Sequence, residues 1–226
     1  MESGVVGGRV ATSTTPLRCA VFISGSGSGM EAMVLAQRRY DLPHETTVVV
    51  SNHASIEGVK RAEKLGIPTV VVERTSGERI LTREEHEAAV MEQLATYDVE
   101  FIVLSGYMRL LSPVFLTQWE HRVVNIHPSL LPNFPGAHAH RDVLAAQARL
   151  SGCTVHLVDE GMDTGAILAQ SPVPVFPEDD EASLSQRVKI EEHRLYPRVL
   201  TWIAEGRVHF TADGLKVEGV EGRLVD

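Results

Sequence analysis

Four short runs, each apolar on both faces, recur through the first half of the chain: LRCAVFIS (17–24), TTVVVS (46–51), TVVVE (69–73) and EFIVLSG (100–106); RVVNIH (122–127) makes a fifth strand, its apolar pattern interrupted by Asn125 and His127. A strand with one wet face alternates apolar and polar residues, so runs like these must be covered on both sides. Helical runs separate the first four: MEAMVLAQRRY (30–40), SIEGVKRAEKLG (55–66) and REEHEAAVMEQLATY (83–97). This alternation predicts an α/β fold, a Rossmann-like open sheet that is mostly parallel in the N-terminal half. After residue 127 the pattern changes. GCTVHLV (152–158) and AILAQSPVPVF (166–176) flank the loop DEGMDTG and predict a hairpin, hence an antiparallel C-terminal part. SLSQRVKIEEHRLYPRVLTWIAEG (183–206) predicts a long helix with Ser183 as N-cap and a kink at Pro197, and RVHFT and GLKVEG predict two closing strands.

A chain of 226 residues suits one well-buried domain, here 17–226. The Gly-, Ser- and Thr-rich residues 1–16 predict a disordered tail. A formal charge of −9 argues against a non-specific nucleic-acid binder, which needs a net basic field. No apolar run approaches the roughly 18–20 residues of a membrane span. Cys19 and Cys153 sit within apolar runs and fit buried thiols in a reducing cytosol.

Four places carry chemistry. ISGSGSGMEAM (23–33) is a strand, a glycine loop and a helix start. It is either a bare βα turn or a phosphate-sized anion site made of backbone N–H groups, and the habit of binding ligands at strand ends favours the second. In VVNIHPSLLP (123–132), Asn125 and His127 share one side of a strand that Pro128 terminates. An imidazole moves protons near neutral pH and an amide donates to an oxygen that gains charge, which suits acyl chemistry. Taken alone, such a pair is more often a satisfied polar group in a core. Asp163 in DEGMDTG is a turn former, or a carboxylate that raises the pKa of His127 if the two meet. On the late helix, Val188, Leu195, Val199 and Trp202 form one stripe, with Glu192 and Lys189 at its margin, where a solvated salt-bridged edge is the plainer interpretation. His138 and His140 lack the spacing of a metal site, His156 alternates within its strand, and His44, His53 and His86 carry no pattern.

Taken together, ISGSGS, SGYMRLLSP, NIHPSLLPNFPGAHAHRDVL and TVHLVDEGMDTGAILAQ resemble the phosphoribosylglycinamide formyltransferases, folate-dependent enzymes of purine synthesis, from about residue 17 to 206. The resemblance implies a single formyltransferase domain. It implies transfer of a formyl group from 10-formyltetrahydrofolate to the amine of N1-(5-phospho-D-ribosyl)glycinamide, giving the N2-formyl product and tetrahydrofolate. It further implies small-molecule substrates, no metal, no nucleic-acid or membrane partner, and a cytoplasmic monomer or homodimer. Matched by motif, Asn125, His127 and Asp163 are the catalytic trio. Gly27, Ser28, Gly29, Lys189 and Glu192 meet the ribonucleotide, which reverses the plainer interpretation of that helix. Arg83, Met108, Arg109, Leu110, Leu111 and Asn125 meet the folate, and the loop of Asp159, Glu160, Gly161, Met162 and Asp163 closes over it. Two departures stand out: Gly29 replaces the usual asparagine, removing one side-chain contact near the phosphate, and Ala166 replaces the usual proline after Gly165.

Overall fold

The computed structural model describes residues 5–77, 79–211 and 214–219. Strands β1 (Leu17–Ile23), β2 (His44–Ser51), β3 (Thr69–Val71), β6 (Phe101–Leu104) and β7 (Val123–His127) pair in parallel, and β8 (Leu150–Leu157) and β9 (Ile167–Pro174) continue the sheet antiparallel. The order is β3-β2-β1-β6-β7-β8-β9. Between β3 and β6 lies a small hairpin of β4 (Thr75–Ser76) and β5 (Arg79–Ile80), and β10 (Val208–Thr211) and β11 (Gly214–Val217) form a separate ribbon. The mostly parallel sheet with an antiparallel C-terminal part is the architecture the apolar runs predict.

Alternation along β1 splits the core in two. Cys19, Val21 and Ile23 join one buried cluster with α1 (Ser28–Tyr40) and α6 (Glu181–Ala204), while Ala20 and Phe22 join another with α3 (Arg83–Leu94) and α4 (Pro113–Gln118). The continuous apolar runs supply the strand side of both clusters, and the helices supply the other side. The stripe on α6 is buried as its spacing requires, with Val188, Leu195, Val199 and Trp202 all at 4% exposure or less.

Local signals explain most helix ends. Thr82 caps α3 in a reciprocal capping box with Glu85. On α6 the N-cap is Asp180, and Ser183 is instead its capping-box partner three residues later, a correction to the predicted cap. The helix runs on through Pro197 as one element of 24 residues. Helices α4 and α5 (Ala139–Ala145) are too short, at 6 and 7 residues, to show a period in sequence.

The N-terminal stretch also differs from expectation. Residues 1–4 lie outside the described part, but 5–16 pack against the body instead of forming a disordered tail. Val6 and Ala11 are 1% and 3% exposed within the core. The Val6 N–H donates to the Val208 carbonyl and the Ala11 N–H to that of Ala204. Arg9 clasps the Glu100 carboxylate with two nitrogens at 2.6 and 2.7 Å. Two buried apolar side chains, two backbone hydrogen bonds and the Arg9–Glu100 pair together anchor it.

The chain leaves β1 toward β2 and β3, then returns to build β6 and β7 on the other side of β1. Loops at the carboxyl ends of β1 and β6 therefore diverge and open a crevice there. Among the described residues, no helix is long and apolar enough to cross a membrane.

Candidate active site

A cavity of about 540 Å³ opens at that crevice. Its walls are the glycine loop after β1, the segment 104–111 after β6, the end of β7, the loop before β9 and the middle of α6. Hydrogen bonds between side chains and backbone hold these walls together. The Met108 N–H donates to Ser24 Oγ at 2.9 Å, linking the two crevice loops. The Ser112 N–H donates to the buried Glu87 carboxylate at 2.8 Å, tying the far end of that segment to α3. Beneath them the buried Tyr196 hydroxyl donates toward the carbonyl oxygens of Leu104 and Val124, pinning α6 under the end of β6 and the adjoining part of β7.

Gly27 begins α1 with φ 69°, a left-handed conformation suited to glycine. A Cβ there would lie 2.6 Å from the Gly58 Cα, so the loop packs against α2 (Glu57–Lys64) only without a side chain. The first N–H groups of α1 lack intrahelical acceptors and point outward from this start.

The trio singled out in sequence is brought together. His127 is 4% exposed. Its Nε2 lies 2.8 Å from the Phe134 carbonyl, which only accepts, so Nε2 carries a proton and Nδ1 is the free atom. That Nδ1 sits 3.2 Å from Asp163 Oδ2. Asp163 is held for this contact by a left-handed backbone (φ 56°) and by the Gly136 N–H, which donates to Oδ2 at 2.8 Å. Asn125 is oriented by His156, for which the sequence shows only a place in an alternating strand. His156 stands directly opposite it in the β7–β8 register. The His156 Nδ1–H donates to the Leu157 carbonyl at 2.8 Å, so its Nε2 accepts from Asn125 Nδ2 at 3.2 Å. This settles which end of the amide is which and leaves the second Asn125 N–H unspent. The same Nε2 is 3.6 Å from Asp163 Oδ1, so one carboxylate faces two imidazoles.

Electrostatics here depart from the sequence expectation. Burial pulls His127 below the ordinary histidine range; the Phe134 carbonyl and the Asp163 charge act upward but do not prevail. The expected upward pull of Asp163 exists, and desolvation outweighs it. Burial pushes Asp163 up, but the His156 contact, the Gly136 N–H and the two imidazoles outweigh it and hold the carboxyl below its usual range. Glu192 goes the other way: burial pushes it up to about 7 against the opposing pull of Lys189.

Most other predicted contacts reach the cavity: Gly27, Ser28, Gly29, Met108, Arg109, Leu110, Leu111, Asp159, Gly161, Met162, Lys189 and Glu192 all line it. Arg83 does not; it is exposed at the start of α3. Glu160 instead lines a smaller depression beside His121 and Phe210. The closing loop is braced by Asp159 Oδ1, which accepts from the Gly161 N–H and the Thr164 hydroxyl. Two further imidazoles face the cavity, His140 from α5 and His193 from α6, each with a buried nitrogen that lacks a protein partner. Burial lowers both below the usual histidine range. No spacing rule points to His193, whereas His138 and His140 stand out in sequence as a closely spaced pair. Among the described residues, no group of three His, Cys, Asp or Glu is placed to hold a metal ion.

Residues 17–200 match the formyl transferase family. The trifunctional purine biosynthetic protein adenosine-3 of Drosophila pseudoobscura pseudoobscura is 46% identical over 191 residues, covering 84% of this chain. The chain spans only 14% of that much longer relative. The phosphoribosylglycinamide formyltransferase of Escherichia coli (strain K12) is 34% identical over 203 residues, covering 90% of this chain and 94% of its own length. The crystal structure of phosphoribosylglycinamide formyltransferase from Anaplasma phagocytophilum superposes with a TM-score of 0.84 at 34% identity, covering 93% of this chain and 98% of that one. With the sheet order, the crevice and these likenesses in agreement, the chain belongs to the formyl transferase family and, within it, to the phosphoribosylglycinamide formyltransferases.

Proposed function

We propose that this chain moves a formyl group from 10-formyltetrahydrofolate to the primary amine of phosphoribosylglycinamide, with the reacting carbon held beside Asn125, His127 and Asp163. One observation carries the proposal. An amide whose second N–H is uncommitted, a buried imidazole with Nδ1 free and a carboxylate at 3.2 Å from that nitrogen converge on one cavity. That cavity also reaches the glycine loop, about where a phosphate would rest on the first N–H groups of α1. The segment after β6 fits a flat heteroaromatic ring. Met108 and Met162 are 71% and 54% exposed, large apolar side chains at the cavity rim with little protein to cover them.

When bound, the folate supplies the formyl carbon. The Asn125 Nδ2–H donates to the formyl oxygen as that atom gains charge, and its orientation is set in advance by His156. His127, with Nε2–H committed to Phe134, offers Nδ1 to the same region and donates there when protonated. Asp163 stabilises a proton on Nδ1, so a proton released by the attacking amine stays within the pair. The amine gives up one proton and the pair returns one to the departing nitrogen, leaving the corner as it began. His127 itself is buried, so its proton exchange with bulk water is limited. The two free, buried cysteines support a reducing, cytosolic setting.

The test follows folate absorbance with purified protein, with and without the ribonucleotide. Turnover that requires the ribonucleotide is expected. Release of deformylated folate in its absence would mean that water is the acceptor, and no turnover with any acceptor would sink the assignment.

A further inference from the structure

Gly29 lies in the first turn of α1, at the departure from the resembled pattern that removes a side chain from the phosphate region. The structure gives that vacancy an occupant. A Cβ built on Gly29 would lie 2.6 Å from Ser105 Oγ and 3.9 Å from Ser105 Cβ. The hydroxyl therefore stands in the volume that a side chain at 29 would need, while the rest of Ser105 stays at ordinary van der Waals distance. Ser105 is the first residue after β6, and its N–H donates to the Phe22 carbonyl at 2.9 Å, which fixes its backbone where β1 and β6 part. It is half-buried and lines the cavity. Its hydroxyl has no protein hydrogen-bond partner among the described residues. Ser24, by contrast, spends its hydroxyl on the Met108 N–H.

We infer that the Ser105 hydroxyl is a ribonucleotide-binding group that donates to a substrate phosphate oxygen from the β6 wall while the Gly29 N–H approaches it from the α1 wall. This rests on the proposed phosphate seat at the glycine loop and deepens it. With Oγ where it stands, a residue-29 side chain needs the same volume, so the two positions work as a pair: glycine leaves the hydroxyl free to face the phosphate seat, and a larger residue at 29 requires that hydroxyl to turn away or be absent. Gly29 has an ordinary helical backbone, so an asparagine there meets a steric obstacle and no conformational one.

The experiment compares the unmodified chain with Ser105→Ala, Gly29→Asn and the double variant, measuring KM for the ribonucleotide, KM for the folate, kcat and thermal midpoint. Loss of one hydrogen bond to a charged group corresponds to about a tenfold rise in ribonucleotide KM for Ser105→Ala. The folate KM and the midpoint should stay near their original values. Gly29→Asn alone should lose ribonucleotide affinity and melt earlier, and adding Ser105→Ala should restore both, with a ribonucleotide KM below that of either single variant. An unmoved ribonucleotide KM in Ser105→Ala, or a double variant no better than Gly29→Asn, overturns the inference while leaving the functional assignment standing. Absence of ribonucleotide-dependent turnover in the unmodified chain overturns both.

Discussion

Glu192 offers a quantitative check on the cavity, because its carboxyl opposes the fold. It is half-buried, faces the cavity and has no hydrogen-bond partner among the described residues. Burial holds it near 7 in the folded chain against an ordinary value of 4.5, with Lys189 only partly compensating. Between those pH values the folded chain keeps a proton that the unfolded chain has released. Stability from this group is therefore full below about 4.5, falls as pH rises, and is lost above about 7. At about 1.4 kcal/mol per pH unit the cost comes to about 3 kcal/mol, and to about 2 kcal/mol once screening by cavity water is allowed for. Glu192→Gln removes the titration and keeps the shape. Its thermal midpoint minus that of the unmodified chain should be near zero at pH 4 and grow to about 4–8 °C at pH 8.5. Taking the difference cancels every other titrating group. A gap that stays constant across the series, or shrinks with rising pH, would refute the picture of a carboxyl desolvated by the cavity wall. The same variant should also raise the KM for the ribonucleotide, and an unchanged KM would remove Glu192 from the proposed binding site.

Three further outcomes are expected. His127→Ala should lower kcat by at least about a thousandfold, through loss of proton transfer and of one oxyanion donor, while calorimetry finds ribonucleotide affinity within about threefold of the original. Near-normal turnover in that variant removes the imidazole from the mechanism. Asp163→Asn removes an upward pull on the His127 pKa, so the histidine limb of the pH–rate profile should move to lower pH and kcat should fall; an unchanged profile counts against the pairing. Val6→Ala should destabilise by about 2 kcal/mol in denaturant titration, since Val6 is 1% exposed, whereas a stretch loose in solution would show no effect.

Much of the frame was legible because its cause is local. A continuous apolar strand can only be a covered one, and β1, β6 and the Val48–Ser51 half of β2 are found covered. Asn125 and His127 lie two residues apart on one strand, so their shared side follows from alternation, and Pro128 marks where it stops. The glycines at 25, 27 and 29 announce a tight βα turn. Less local features escaped. Ser183 has the chemistry of an N-cap, but the true cap is Asp180, because serine fits the third position of the box as well as the first. Residues 5–16 look like a tail by composition, yet two buried side chains and the Arg9–Glu100 pair hold them against distant strands.

The sequence by itself determined the layered sheet, the strand that ends in Asn125 and His127, and the family to which those motifs belong, since each depends on neighbours in the chain. Tertiary structure alone decided what surrounds the trio. Asp163 meets His127 across 36 positions through a left-handed turn and the Gly136 N–H. His156 fixes the Asn125 amide only through the antiparallel register of β7 and β8. Burial, a property of the assembled chain, pulls the His127 pKa down although its nearest carboxylate pulls it up. The space left by Gly29 is filled from another strand altogether, because β1 and β6 end side by side and Ser105 turns into the gap.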